Sequence, residues 1–211
     1  QEFYDKVSKL SDDRTVDAIM VQQPLPARYN NSLILSAINV NKDADCLCDV
    51  SLARLYRGES VFTPATPTAV ICLLDYYNID VFGKNITVIG RGNAVGKPLS
   101  LMLTARNATV TLCHSKTENL LTHTANADII ICATGKNNLL NADMISSSAI
   151  VLDVGLNFVN GHTCGDVDFQ SVSIVAKAIS PVPGGIGVVT TATLLRNTLT
   201  ACKLNTAKLV K

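Results

Sequence analysis

Four short apolar runs are the most regular feature of the hydrophobic pattern. They read NITVIG, ATVTLC, ADIIICAT and AIVLDVG, and they fall between residues 85 and 155. Runs of Val, Ile and Leu without polar alternation are typical of strands buried on both faces. Helical stretches separate the runs: VGKPLSLMLTARN, a polar segment over residues 117–126, and NADMISSS. This strand–helix repetition predicts a parallel sheet with right-handed crossovers, of the Rossmann type.

The rest of the chain predicts a second, smaller lobe. VDAIMVQQPLP predicts a strand that Pro24 and Pro26 stop, and NSLILSAIN predicts an amphipathic helix capped by Asn31 or Ser32. TPTAVICLLDYYN predicts a helix with Pro67 near its start, and VVTTATLLRNTLTACKL predicts a long final helix. We expect an α/β fold: a Rossmann-type parallel-sheet domain over residues 63–183, and a smaller α/β lobe that combines residues 1–62 with the C-terminal helix in 184–211.

Composition and charge narrow the function classes. Hydrophobic residues make up 47% of the 211 residues and charged residues 17%, which is typical of a folded core. A net charge of +1 gives no support to nucleic-acid or membrane-surface binding, since both need a clustered basic footprint. No apolar stretch approaches the ~18 residues of a membrane span, and the polar opening QEFYDKVSKL does not resemble a signal peptide.

The seven cysteines predict reduced thiols rather than disulfides or a metal centre. Cys46 and Cys48 form a C-x-C pair, and the other five occur singly in apolar runs. No C-x-x-C spacing is present, and no histidine pairing has zinc geometry, so we predict no metal site. The odd number and the apolar surroundings favour an intracellular compartment, cytoplasmic or else organellar.

A glycine-rich stretch follows the first apolar run. Residues 90–96 read GRGNAVG, which is G-x-G-x-x-x-G and one residue longer than the commonest dinucleotide fingerprint. Glycines here allow a tight turn and close backbone approach to a pyrophosphate, and the helix that follows supplies N–H donors. A purely structural turn is the alternative. The position between a strand and a helix, within a repeated βα unit, favours dinucleotide binding.

The end of the second run favours NADP over NAD. NAD-selective sites usually carry an acid about 20 residues beyond the glycines, where it binds the ribose 2′-hydroxyl. This chain has His114, Ser115 and Lys116 there, and Arg91 in the glycine loop. Donors and positive charge suit a 2′-phosphate, whereas a carboxylate would repel it. Lys116 taken alone is more readily explained as a solvated surface residue.

Two proline-containing loops are candidates for a further binding site. SPVPGGIG, residues 180–187, combines two prolines with three glycines directly before the final helix. A flat polar heterocycle could lie against its exposed backbone groups, and an ordinary tight turn is the alternative. VQQPLP is the second loop, with Gln22 at the end of the predicted strand.

Together these segments resemble one family, the bifunctional methylenetetrahydrofolate dehydrogenase/methenyltetrahydrofolate cyclohydrolases. The matching stretches are VQQPLP, KDADC, PATPTA, VIGRGNAVGKPLSLML, ATVTLCHSKT, ADIIICATG, DVGLN, GDVDF and PVPGGIGVVT. They occur in the family's order across nearly the whole chain. The combination of PVPGG, VGKP and CHSKT argues against a Rossmann domain of another dehydrogenase class.

The resemblance implies a two-lobe subunit, usually a homodimer, with tetrahydrofolate derivatives in the cleft and NADP on the Rossmann lobe. Such enzymes oxidise 5,10-methylenetetrahydrofolate and hydrolyse the methenyl product to 10-formyltetrahydrofolate. Gln22 then matches the glutamine that assists a catalytic lysine, and Asp45 matches the pterin-binding aspartate. The implied substrate-binding residues are Val21, Gln22, Gln23, Asp45, Pro183, Gly184, Gly185, Ile186 and Gly187. The implied cofactor-binding residues are Thr66, Gly90, Arg91, Gly92, Gly96, His114, Ser115, Leu156 and Thr190.

The sequence also departs from the family's pattern. The family carries a Tyr-x-x-x-Lys whose lysine is central to the cyclohydrolase step, whereas here Tyr4 is followed by Ser8. That motif would lie upstream of Gln1. Five further positions depart from the residues usual in the family. Gln23 stands for an apolar residue, Cys46 for a glycine and Gly92 for a serine, and Ala69 and Val188 stand where glycine and proline are usual. Two hypotheses therefore stay open: an enzyme whose amino-terminal segment lies outside this chain, or a divergent, weakly active or inactive relative that binds NADP or a dimer partner.

Overall fold

The computed structural model describes residues 1–209, with side chains to residue 207. The chain divides into two compact units. Unit 1 comprises Gln1–Ala65 together with the chain from Thr191 onward, and unit 2 comprises Thr66–Thr190. The boundaries after residues 62 and 183, which the sequence suggested for the smaller lobe and the Rossmann-type domain, stay a prediction. None of the helices in the described residues is both long enough and apolar enough to cross a membrane.

The helices and strands have the following bounds, and in unit 2 strands and helices follow one another along the chain. The helices are α1 Glu2–Asp12, α2 Asn31–Ser36, α3 Asp49–Arg57, α4 Ala65–Tyr76, α5 Gly96–Ala105, α6 Leu120–Thr124, α7 Phe169–Val175 and α8 Ile186–Leu209, with a 3₁₀ turn at Ala142–Met144. The strands are β1 Asn85–Ile89, β2 Thr109–Cys113, β3 Ile129–Cys132, β4 Ile150–Asp153, β5 Asn157–Val159, β6 His162–Cys164 and β7 Ala178–Ile179.

The central sheet of unit 2 has five strands in the order β2-β1-β3-β4-β7, and all neighbours are parallel. This confirms the predicted α/β fold with a Rossmann-type sheet. One face packs on Leu74 of α4 and on Leu99 and Leu103 of α5. The other face packs on Leu140 and on Val172 of α7. Because both faces are covered, every residue of β3 is apolar and buried, and in β1 even the polar Thr87 is buried.

Unit 1 consists of α1, α2, α3 and most of α8, and its described residues contain one isolated point of strand pairing. Ile19 and Asp43 form an isolated parallel bridge, in which the Ile19 N–H donates to the Lys42 carbonyl (2.7 Å). The predicted strand over residues 16–26 is therefore wrong, because the pairing does not extend beyond this bridge. The buried Lys42 side chain donates from Nζ to the carbonyls of Ser11 (2.6 Å) and Asp13 (2.7 Å) at the end of α1. A cation at a helix C-terminus is favourable.

Two further local predictions need correction, and one element was not predicted at all. Asn30, not Asn31 or Ser32, caps α2, since its side chain accepts from the Leu33 N–H (3.1 Å). NADMISSS forms only the 3₁₀ turn. The sequence reasoning also missed the antiparallel hairpin β5–β6, although its Asn160-Gly161 turn has positive φ at both residues (51° and 81°) and is a strong hairpin signal.

Candidate functional site

The carboxyl edge of the sheet in unit 2 gathers most of the predicted cofactor residues. The strand order reverses between β1 and β3, and in open α/β sheets ligands bind at such a switch point, beyond the carboxyl ends of the strands. Gly90 and Arg91 follow β1, His114 and Ser115 follow β2, and Leu156 lies shortly after β4. The structure therefore brings these residues to one edge, and their individual roles stay predictions.

The glycine loop owes its shape to two close backbone contacts. A Cβ on Gly90, whose φ is 119°, would lie 2.1 Å from the Ala133 carbonyl oxygen. A Cβ on Gly96 would lie 1.8 Å from the Gly90 carbonyl oxygen. Gly92, by contrast, is exposed and would have open space around a Cβ. The first and last glycines hold α5 against β1, and Gly92 leaves the outer surface of the loop accessible to a ligand.

These contacts predict very different costs for two alanine substitutions. Gly96→Ala should lower the free energy of unfolding by about 1–3 kcal/mol or more, because its Cβ overlaps backbone that has no room to move. Gly92→Ala is the matched control in the same loop and should stay within about 0.5 kcal/mol. Urea unfolding of both variants measures this. Equal stabilities would contradict the packing role of Gly96.

A tight turn after β2 presents the groups that favour NADP. The Gly90 N–H donates to the Cys113 carbonyl (2.9 Å), which fastens the glycine loop beside this turn. The His114 N–H donates to Thr117 Oγ1 (2.9 Å), and the Thr117 N–H donates back to the His114 carbonyl (2.9 Å). Ser115 is thereby held exposed at the tip, as are Lys116 and, in the glycine loop, Arg91. Sequence reasoning quoted CHSKT as a motif but missed that Thr117 closes the turn.

The remaining cofactor candidates lie at the two ends of unit 2. Thr66 is the second residue of α4. Thr190 lies in the second turn of α8, where Oγ1 donates to the Ile186 carbonyl (3.0 Å).

The SPVPGGIG loop of unit 2 leads into α8 through a cis Val182–Pro183 bond. Pro183, Gly184 and Gly187 are exposed. A Cβ on Gly185 would lie 2.3 Å from the Pro181 carbonyl oxygen, so this glycine is needed for the turn itself. Ile186 is 2% exposed and packs in the core of unit 2, which leaves only its backbone for a ligand.

In unit 1, two candidate residues, Gln22 and Asp45, lie just beyond the bridge between Ile19 and Asp43. Because the pairing is parallel, Gln22 and Asp45 both follow the same end of it. Gln22 is exposed, and its Nε2 donates only weakly to the Gln23 carbonyl (3.3 Å). Val21 is buried, and Gln23 donates to Asn31 Oδ1 (3.0 Å).

Asp45 is a half-buried carboxylate with one backbone partner. Its Oδ1 accepts from the Ala65 N–H at 3.2 Å. Burial raises the pKa of Asp45 above its usual value, and the negative charge of Asp43 adds to this, whereas the Ala65 N–H opposes it. A carboxylate that the fold buries with so little compensation costs stability, and such groups occur most often at functional sites.

A buried amide of α8 holds the backbone beside Asp45, and the sequence reasoning missed it. Asn197 is 5% exposed, and its Nδ2 donates to the carbonyls of Ala44 (2.8 Å) and Thr63 (2.9 Å). It therefore fixes the peptide directly before Asp45. The sequence of α8 contains many other polar residues, so nothing local distinguished Asn197 from them.

The structure accommodates the residues that depart from the family's pattern. Cys46 adopts a positive φ of 55°, at the position where the family usually has glycine, and its buried side chain packs on Phe62 and Ala201. Burial raises the pKa of Cys46 to about 12, so this thiol stays protonated at neutral pH. Ala69 is buried in unit 2, and Val188 is exposed. All seven cysteines are free, and the described residues contain no group of three His, Cys, Asp or Glu that could hold a metal.

Comparison with known proteins matches most of the chain to two domain models of one family. Residues 64–206 match "Tetrahydrofolate dehydrogenase/cyclohydrolase, NAD(P)-binding domain", and residues 1–45 match its "catalytic domain". The chain is 42% identical over 201 residues to "Bifunctional protein FolD" of Caldanaerobacter subterraneus, an alignment that covers 95% of this chain and 72% of that protein.

Two solved structures are similar along almost the whole chain. The bifunctional methylenetetrahydrofolate dehydrogenase/cyclohydrolase FolD of Campylobacter jejuni has 44% identity and a TM-score of 0.91, covering 96% of this chain and 72% of that one. The Trypanosoma brucei enzyme, solved with an NADP cofactor and an inhibitor, has 35% identity and a TM-score of 0.91, covering 97% and 73%.

Proposed function

This chain belongs to the tetrahydrofolate dehydrogenase/cyclohydrolase family, and on that premise we propose that it oxidises 5,10-methylenetetrahydrofolate to 5,10-methenyltetrahydrofolate with NADP, as part of an enzyme that also hydrolyses the methenyl product to 10-formyltetrahydrofolate. The main support for the proposal lies at the carboxyl edge of the sheet in unit 2. There an open glycine loop and a turn bearing Ser115 meet at the topological switch point.

The residues at this edge fit NADP. Gly92 leaves room above the glycine loop for a pyrophosphate, because no atom lies within 4 Å of the place a Cβ would occupy. Arg91 supplies a cation and Ser115 a hydroxyl for a 2′-phosphate. Arg91 forms no ion pair in the described part of the chain. When bound, NADP supplies the hydride acceptor. The chain's own contribution is to bind and orient it.

Unit 1 would hold the folate. A carboxylate at Asp45 can accept two parallel N–H bonds from the aminopyrimidine edge of a pterin. The Ala65 N–H holds its side chain, and Asn197 holds the backbone directly before it. Gln22 offers an exposed amide at the same end of the strand pairing. The family resemblance assigns the Pro183–Gly187 loop of unit 2 to folate binding as well. These assignments rest on the family resemblance and on the placement of the residues.

We further propose that the protein is a homodimer and acts in the cytoplasm. The dimer is supported by the family resemblance. The location is supported by seven cysteines that are all free, since such thiols persist in reducing compartments.

A two-step assay tests the proposed function. We expect the 211-residue chain to form NADPH from NADP only when 5,10-methylenetetrahydrofolate is present. Hydrolysis of added 5,10-methenyltetrahydrofolate should stay near the buffer rate, because no tyrosine in these residues is followed four positions later by lysine. Absence of substrate-dependent NADPH would overturn the dehydrogenase proposal. Rapid methenyl hydrolysis would show that another group carries the second step.

A further inference from the structure

Two short segments, DVG at residues 153–155 and GD at 165–166, interlock in the core of unit 2. Asp153 Oδ1 accepts from the Gly155 and Asp166 N–H groups (both 3.0 Å), and its Oδ2 accepts from the Val167 N–H (2.9 Å). A Cβ on Gly155 would lie 2.1 Å from Asp166 Oδ1, and a Cβ on Gly165 would lie 1.9 Å from Asp153 Oδ2. Each aspartate thus occupies the space left by the other segment's glycine. We call these four residues the aspartate–glycine clasp.

Through the clasp, Asp166 holds the segment that follows β3. Its side chain is 0% exposed, and Oδ2 accepts from the Thr134 N–H (2.5 Å), Thr134 Oγ1 (2.9 Å) and the Gly135 N–H (3.1 Å). The preceding carbonyl, that of Ala133, is the group that lies against Gly90 at the start of the glycine loop. Asp166 therefore fixes the backbone that supports this loop from the β3 side.

The other oxygen of Asp166 holds the segment that follows β4. Oδ1 accepts from Asn157 Nδ2 (2.9 Å), which also donates to the Gly165 carbonyl (2.9 Å). Asn157 directly follows Leu156, which is 76% exposed at the sheet edge. One buried carboxylate thus fixes the segments after two adjacent strands, β3 and β4.

The strand order indicates which part of a dinucleotide lies near the segments that follow β3 and β4. In Rossmann sheets the end of the second strand contacts the adenosine ribose, and the rest of the dinucleotide crosses the switch point to the other half of the sheet. Here β2 lies on one side of β1, and β3 and β4 lie on the other. We propose that Asp166 is a positioning residue for the nicotinamide half of NADP. This inference rests on the proposed function of the chain.

Asp166→Asn is the variant that tests it. The asparagine keeps one carbonyl oxygen for Thr134 and Gly135, but its NH₂ group meets Asn157 Nδ2, so two donors face each other. We expect the affinity for NADP to fall by about ten- to a hundredfold. The affinity for 2′,5′-ADP, which contains only the adenosine half with its phosphates, should fall by a clearly smaller factor, because Asp166 reaches the glycine loop only through the Ala133 carbonyl. Isothermal titration with both nucleotides measures this difference.

Two controls separate positioning from general destabilisation. Asp43→Asn makes the same substitution at a carboxylate that is 1% exposed and accepts backbone N–H groups, from Leu47 and Cys48 of unit 1. It should leave both affinities unchanged. Thr134→Val removes one donor to Asp166 and should weaken NADP binding alone, whereas Thr134→Ser should bind as the unaltered chain does. This pair decides the question if Asp166→Asn does not fold.

The outcomes are distinct. A folded Asp166→Asn variant that binds NADP normally, or that loses affinity equally for both nucleotides, would overturn the positioning role. So would a Thr134→Val variant that binds NADP as well as Thr134→Ser does. If the unaltered chain binds neither nucleotide, the proposed function itself fails, and this inference fails with it.

Discussion

Replacing Asp45 by alanine will weaken the binding of a folate analogue by about ten- to a hundredfold, because charge-assisted hydrogen bonds to a pterin are worth about 1.5–3 kcal/mol. In the described part of the chain the Asp45 carboxylate accepts a hydrogen bond from the Ala65 N–H, and burial raises its pKa. Such a group retains acceptor capacity for a ligand. Titration of a folate analogue into both proteins measures the effect.

The same experiment needs a control in the same segment. Asp49 is exposed in the first turn of α3, so Asp49→Ala removes a nearby carboxylate and should leave folate affinity unchanged. Asp45→Ala should also leave NADP affinity unchanged, because the predicted NADP residues belong to unit 2. If Asp45→Ala bound folate as well as Asp49→Ala does, Asp45 would be only a surface charge.

Replacing Arg91 by alanine will weaken NADP binding by about tenfold or more and leave NAD binding nearly unchanged. A guanidinium forms charge-assisted hydrogen bonds with a 2′-phosphate, which NAD lacks. Arg91 is exposed in the glycine loop, beside the turn that presents Ser115. Titration with both nucleotides gives the change in selectivity directly.

Lys97→Ala is the matched control for this substitution. Lys97 is an exposed cation in the first turn of α5, and its Nζ donates to Asn93 Oδ1 (2.8 Å). Its loss should lower the affinities for NADP and NAD to a similar, small extent. If Arg91→Ala weakened both nucleotides equally, Arg91 would act on a group that they share, and the basis of NADP selectivity would lie elsewhere.

The sequence predicted strands β1 to β4 because all four fall within the apolar runs. In β1, β3 and β4 nearly every residue is buried, since helices cover both faces of the sheet there. Strand β2 lies at the edge of the sheet and only its Cys113 is buried, so its β-branched Thr and Val residues indicated the strand instead. The segment around Ile19 has a similar composition but pairs at one residue only, and no local pattern distinguishes the two cases.

The candidate site was predicted in its exposed parts and missed in its supports. Gly90, Arg91 and Ser115 were found because loops after parallel strands have recognisable residue types. Asp166, Thr117 and Asn197 were not singled out, because each acts on backbone that only the folded chain brings near. For Asp166 a signal existed in the paired spacing of DVG and GD, whose glycines each accommodate the other segment's aspartate.

Titration of NADP and NAD into the unaltered chain decides which cofactor the protein prefers. We expect saturable binding of NADP that is tighter than that of NAD, because Arg91 and Ser115 can contact a 2′-phosphate and no carboxylate stands in the turn between His114 and Thr117. No saturable binding of NADP, or tighter binding of NAD, would contradict it.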